Sequence, residues 1–199
     1  MTGDGEAPPR FPREIAPNTF WFSTCLPFSV NGREVHNHNS CFLVIGRDRV
    51  ALVDTGLPFS WDELKGQLLD VLAGRDIDYV FATHPESPHM GNAGPLMDMF
   101  PHAQLVGDLR NYHLYHPKLT HRFSHKREGD VLDLGDRQLI MVPAAVHDLK
   151  NTLWGYDTCT TFCLSVTAIP TRTSMRLVSA RSLRRNYHRP SSQRIRGRS

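Results

Sequence analysis

Cysteine is scarce in this chain of 199 residues, and none of Cys25, Cys41, Cys159 and Cys163 falls at the spacing of a zinc knuckle or a redox C-x-x-C pair. Reduced, mostly buried thiols are the expectation. No apolar run reaches the length of a membrane span, and no charged-then-apolar leader opens the chain, because Met1 to Arg13 is rich in proline, glycine and acid. A cytoplasmic protein without a membrane partner follows as the default. Acid is also missing after Asp157, and from Thr171 to Ser199 there are nine arginines and six serines but no lysine. Removing those nine from the whole-chain charge of +3 leaves residues 1–170 at −6, so the basic excess belongs to the tail. Such a tail is expected to be disordered. It reads either as an arginine-rich arm that attracts nucleic acid or other polyanions, or as a divergent or out-of-frame end. Arginine without lysine favours the second, since codon bias yields it more readily than selection for charge does.

What the chain does contain is a dense group of metal-ligand side chains. Thr83-His84-Pro85-Glu86-Ser87-Pro88-His89 sets two imidazoles and a carboxylate within six residues, directly after the apolar run Ile77 to Ala82. That run reads as a buried strand, and a strand ending in a ligand-bearing loop ahead of Gly91 and a helix aims side chains at one point. Imidazole nitrogens and a carboxylate suit iron or zinc, and two histidines with one carboxylate form the ligand set of open catalytic sites.

The pieces around this loop have an order. Val50 to Val53 reads as a buried strand ending in the acidic turn Asp54-Thr55-Gly56. A helix follows from Ser60, with Ser60 and Glu63 as a capping box, Trp61, Leu64, Leu68, Leu69 and Leu72 on one stripe, and Gly74 as the stop. A second helix is expected from about Pro95 to Phe100, and a strand from Ala103 to Val106. Glu128 to Asp136 alternates like an edge hairpin, Leu139 to Val142 reads as a strand, and His147 lies just past its end. With 40% apolar residues, the length suits one domain with a sizeable core.

From Thr19 to Asp157 this arrangement resembles the metallo-β-lactamase superfamily. The features that carry the resemblance are Val53-Asp54-Thr55-Gly56, the His84 loop, the hairpin with Asp130 and Gly135, and His147. Glu86 in the second place of the loop is similar to the H-x-E-x-D-H of the flavodiiron branch rather than the H-x-H-x-D-H of most hydrolases. The resemblance implies an α/β fold, a metallo-β-lactamase-like αββα sandwich. It implies that His84, Glu86 and His147 hold a first metal, iron or zinc, and that His89 belongs to a second. Asp54 is then expected to orient a ligand imidazole through its other nitrogen, or else simply to cap its turn.

The chain departs from the family pattern in two places. Pro88 stands where the family has an aspartate for the second metal, which leaves that site short of a donor. The bridging aspartate and last histidine that should follow a Tyr-Asp like Tyr156-Asp157 are not found, and His188 in the tail is not taken as a ligand. The sandwich is therefore expected to be incomplete at its C-terminal end, with exposed strand edges and marginal stability. The expected organisation is a flexible segment 1–18, a truncated metallo-β-lactamase-like domain 19–160 and a divergent Arg/Ser-rich tail 161–199.

The remaining histidines carry less information. His36 and His38 read as solvated loop residues outside the ligand set, and His113, His116, His121 and His125 as surface residues on an exposed helix and loop. One of these could serve as a general acid. The function expected is a metal-dependent hydrolase or flavodiiron-like oxidoreductase with a partly lost site. Its small-molecule substrate and catalytic residues are not identified, and electrons would come from a redox partner, since no flavodoxin-like domain is seen. The alternatives are an inactive remnant of the fold, or a polyanion-binding protein acting through its tail.

Overall fold

The computed structural model of the chain describes residues 11–145 and 149–164. Seven strands form the larger sheet: β1 (Arg13–Ala16), β2 (Thr19–Val30), β3 (Arg33–Ile45), β4 (Val50–Val53), β5 (Tyr79–Phe81), β6 (Gln104–Gly107) and β7 (Phe123–His125). They lie in chain order across the sheet, antiparallel from β1 to β4 and parallel from β4 to β7. The smaller sheet is antiparallel, in the order β11 (Cys163–Leu164), β10 (Leu153–Asp157), β9 (Gln138–Pro143) and β8 (Val131–Asp133).

Two apolar layers hold these sheets in place. Side chains alternate along a strand, so Val50 and Leu52 of β4, with Val80 of β5, face one side of the larger sheet, and Ala51, Val53 and Phe81 face the other. The first side packs on α1 (Trp61–Leu72), α3 (Ala93–Met99) and α4 (Tyr112–Tyr115) through Leu64, Leu68, Leu72, Leu96, Met97 and Tyr112. The second side packs on the smaller sheet through Leu132, Leu139, Met141 and Leu153. A strand covered on both faces must be apolar throughout, which is why Val50-Ala51-Leu52-Val53 does not alternate. Among the described residues the layers are helix, sheet, sheet.

Several expectations need correction. The segment 1–18 is not wholly flexible, since β1 pairs with β2 as an edge strand. The domain also extends past residue 160, because Cys163 and Leu164 form β11 of the smaller sheet and Leu164 is buried in the layer between the two sheets. Ser60 makes no cap: it closes a 3-10 turn, Pro58–Ser60, and its hydroxyl donates to the Leu57 carbonyl, while Glu63 accepts a hydrogen bond from Gln67. Leu69 is not on the buried stripe but 49% exposed. His36 and His38 lie in β3 rather than in a loop, within a long hairpin closed by Asn31 and Gly32. Both of these have positive φ, as a type I′ turn requires. The thiols are not mostly buried, since Cys25 and Cys159 are exposed and Cys163 is half-buried. No helix among the described residues is long and apolar enough to cross a membrane.

Candidate metal centre

The C-terminal ends of the parallel strands β4 and β5 lie side by side, and the loops leaving them carry Asp54 and the Thr83–His89 stretch. This is the edge at which open α/β sheets place their ligands. The Asp54 amide donates to the Phe81 carbonyl, so the two strand ends are hydrogen-bonded up to the point where the loops begin. Asp54 itself has φ of 61°, left-handed backbone that aspartate tolerates better than most residues. That turn aims its carboxylate inward, where it is fully buried.

Three donors converge on this carboxylate. The Thr83 amide donates to Oδ1 at 2.8 Å, the Thr83 hydroxyl lies 2.8 and 2.9 Å from its two oxygens, and His89 Nδ1–H donates to Oδ2 at 2.9 Å. The His89 backbone is held as well, its carbonyl accepting from both the amide and the hydroxyl of Thr55. Asn92 donates to the carbonyls of Thr55 and Leu57, and Asn39 donates to that of Pro88. A Cβ on Gly91 would lie 2.6 Å from the Gly56 carbonyl oxygen, so the two loops meet backbone to backbone there and only glycine fits. From the smaller sheet, the Leu153 amide donates to the Thr83 carbonyl.

The imidazoles of His84 and His89 pack with centroids 3.6 Å apart, and both are buried. His84 Nε2 lies 3.2 Å from Glu86 Oε2, with Glu86 more than half exposed. Burial, and then the neighbouring His89, hold His84 below the usual histidine range, against the opposing pull of Asp54 and Glu86. Its imidazole is thereby kept neutral, the form that binds metal. Nearby, the buried Tyr112 hydroxyl has no partner among the described residues. Burial, followed by the charges of Asp54 and Asp108, pushes its ionisation well above the usual tyrosine range.

The structure therefore brings His84, Glu86, His89 and Asp54 together, while His147 lies outside the described residues. Among the described residues no three His, Cys, Asp or Glu side chains stand close enough to hold a metal ion by themselves. The donor chemistry nevertheless fits one ion. His84 Nε2 and Glu86 Oε2 are separated by a typical distance between two ligands of one metal, and Asp54 engages Nδ1 of His89, so that Nε2 is the nitrogen left for a ligand bond. It does not fit a second ion equally, because Pro88 offers no side-chain donor. Thr83, Thr55, Asn92 and Asn39, which organise the site, had no assigned role in the sequence. Thr83, Thr55 and Asn92 share only the signal of small polar residues near a ligand or a strand end, and Asn39, in the middle of β3, lacks even that.

The fold and this loop define a metallo-β-lactamase domain. Residues 36–174 match the family model of the metallo-β-lactamase superfamily, and the chain belongs to that superfamily. It is 34% identical over 111 residues to coenzyme F420H2 oxidase of Methanothermobacter marburgensis, which covers 50% of this chain and 26% of the oxidase. It is 33% identical over 89 residues to the anaerobic nitric oxide reductase flavorubredoxin of Salmonella typhi, 42% of this chain and 18% of that protein. The chain thus spans about a quarter or less of the length of these relatives. Among solved structures, a diflavin flavoprotein fragment from Nostoc sp. PCC 7120 superposes with a TM-score of 0.66 at 19% identity, over 76% of this chain and 64% of that one. The flavodiiron protein of Giardia intestinalis gives 0.65 at 14% identity, over 80% and 41%. At these identities the likeness is one of fold.

Proposed function

We propose that this chain is the metal-holding domain of an oxidoreductase of flavodiiron type, with His84, Glu86 and His147 as ligands of one iron ion. The observation that carries the reading is the placement of Glu86 Oε2 beside His84 Nε2 in a loop whose histidines are otherwise locked by Asp54 and Thr83. When bound, iron would supply an open coordination position, as zinc also can, together with a change of oxidation state, which zinc does not have. The protein's part is to keep His84 neutral, to engage Nδ1 of His89 so that its Nε2 is left free, and to shield both rings from water. An oxidase and a nitric oxide reductase among the relatives support a small oxidant as substrate class, reduced with electrons delivered by a redox partner.

Metal analysis of the full chain tests this. After anaerobic reconstitution with ferrous iron, about one iron per chain is expected, lost in His84→Ala and in Glu86→Ala. A zinc-only preparation that hydrolyses esters or lactams would replace the oxidoreductase with a hydrolase. Pro88 favours a second reading, a metal-free remnant of the fold. It predicts no bound iron under metal-replete anaerobic conditions and the same stability with and without metal.

A further inference from the structure

Away from the metal loop, the long β2–β3 hairpin carries a second group of reactive side chains. Cys25 is the Cα partner of His38, and His36 sits one diagonal step along β3. Strand alternation puts Cys25, His36, His38 and Glu34 on one face, the face that covers the second apolar layer further in through Trp21 and Phe42. Here that face is exposed. The Cys25 thiol lies 3.2 Å from His36 Nδ1, and His36 Nε2 lies 3.3 Å from Glu34 Oε1. With its proton on Nε2, facing the carboxylate, the imidazole presents Nδ1 to the thiol as an acceptor. Nucleophile, base and orienting carboxylate thus stand in sequence, the arrangement that activates a cysteine. Cys159, also exposed, has no imidazole partner among the described residues, and Cys41 is buried.

We propose that Cys25 is the reactive thiol of this chain, a site of mixed-disulfide formation with low-molecular-weight disulfides, with His36 as its base and Glu34 holding the imidazole. As Sγ bonds to one sulfur of the reagent, the thiol proton passes to His36 Nδ1 and the reagent's S–S bond breaks. The departing thiolate then takes that proton from His36. Cys25 is oxidised to the mixed disulfide, and half of the reagent is reduced to a thiol.

The test is to incubate the full chain with oxidised glutathione and follow each cysteine by peptide mass spectrometry, with Cys159 as internal standard and protection of Cys41 as the check on folding. Cys25 is expected to react about a hundred-fold faster than Cys159, the low end of what a positioned base contributes. His36→Asn should bring the two rates together, and Glu34→Gln should lower the Cys25 rate by a smaller factor. Added imidazole should restore the Cys25 rate in the His36→Asn protein without affecting Cys159, which a purely structural role for His36 would not give. Equal rates in the unaltered chain, an unchanged ratio in the His36 variant, or failure of imidazole to rescue it would each overturn the proposal.

Discussion

A single carboxylate organises the metal loop, and the cost of its left-handed backbone is offset by what it holds. Asp54 accepts from the Thr83 amide, the Thr83 hydroxyl and His89 Nδ1–H at once. An asparagine keeps the turn, since its short polar side chain also tolerates that backbone. Its amide nitrogen, however, would face His89 Nδ1 and force the proton onto Nε2, removing the lone pair a metal needs. Pro88 supplies the complementary experiment. Pro88→Asp places a carboxylate at the N-terminus of α2 (Ser87–Met90), beside His89, and is expected to raise iron from about one to about two per chain. Adding Asp54→Asn should weaken that second iron by about 10–100-fold, as measured by iron content against a competing chelator. A second iron indifferent to Asp54 would show that His89 does not bind it.

At the same scale, His84 gives the metal-free protein a pH signature. Its folded value lies below the usual one, so as pH falls below about 6.5 the unfolded chain binds the proton first. That difference makes stability drop on the acid side, and stability is regained as pH rises through the same window. Urea midpoints measured from pH 7 to pH 5 should fall, and the fall should be shallower in His84→Gln. The residues of this centre were unequally legible. His84, Glu86, His89 and Asp54 declare themselves by type and by position at strand ends, whereas Thr83 becomes the node only because β4 and β5 are paired in parallel, a contact between residues 29 apart in the chain.

Elements were legible where one periodicity dominated. The continuous apolar runs of β4 and β5 and the stripe of α1 show this, because covered strands and amphipathic helices impose their own patterns. Leu69 marks the limit of that reading: it lies about 100° around the helix from Leu68, at the flank of the stripe, and the packing of α1 leaves it outside. Leu68→Ala should therefore cost about 2–5 kcal/mol in urea denaturation, and Leu69→Ala no more than about 0.5 kcal/mol. Equal losses would mean that the exposed side of α1 is covered in solution. The β2–β3 hairpin was harder to read, although Asn31-Gly32 is a strong turn signal. Leu26, Phe28 and Val30 alternate along the outer half of β2, but on β3 Val35 is the one apolar residue from Arg33 to Asn39, so no alternation announced a strand around His36 and His38, and with them the Cys25–His36 pair went unread.

For the whole molecule, the sheets are joined by more than the apolar layer between them. Arg137, buried after the β8 turn, donates to both oxygens of Asp157 at the end of β10, at 2.6 and 3.3 Å, and to the carbonyls of Pro17 and Asn18 between β1 and β2. One guanidinium therefore ties the smaller sheet to the first hairpin of the larger one. Nothing in the local sequence reveals this, because its partners are 20 and 120 residues away. Asp157 is further satisfied by the Cys159 amide and the Thr160 hydroxyl, so it keeps some partners if the arginine is removed, whereas Arg137 without Asp157 retains only two carbonyls. Removing either side chain leaves a buried charge uncompensated, and Arg137→Ala or Asp157→Ala should each cost about 3–5 kcal/mol. The double substitution should cost less than the sum by about 1–3 kcal/mol, the coupling expected of residues in direct contact. Urea unfolding of the four proteins measures it. A coupling near zero would mean that the packed layer of Phe42, Phe81, Leu139 and Met141 holds the sheets together alone.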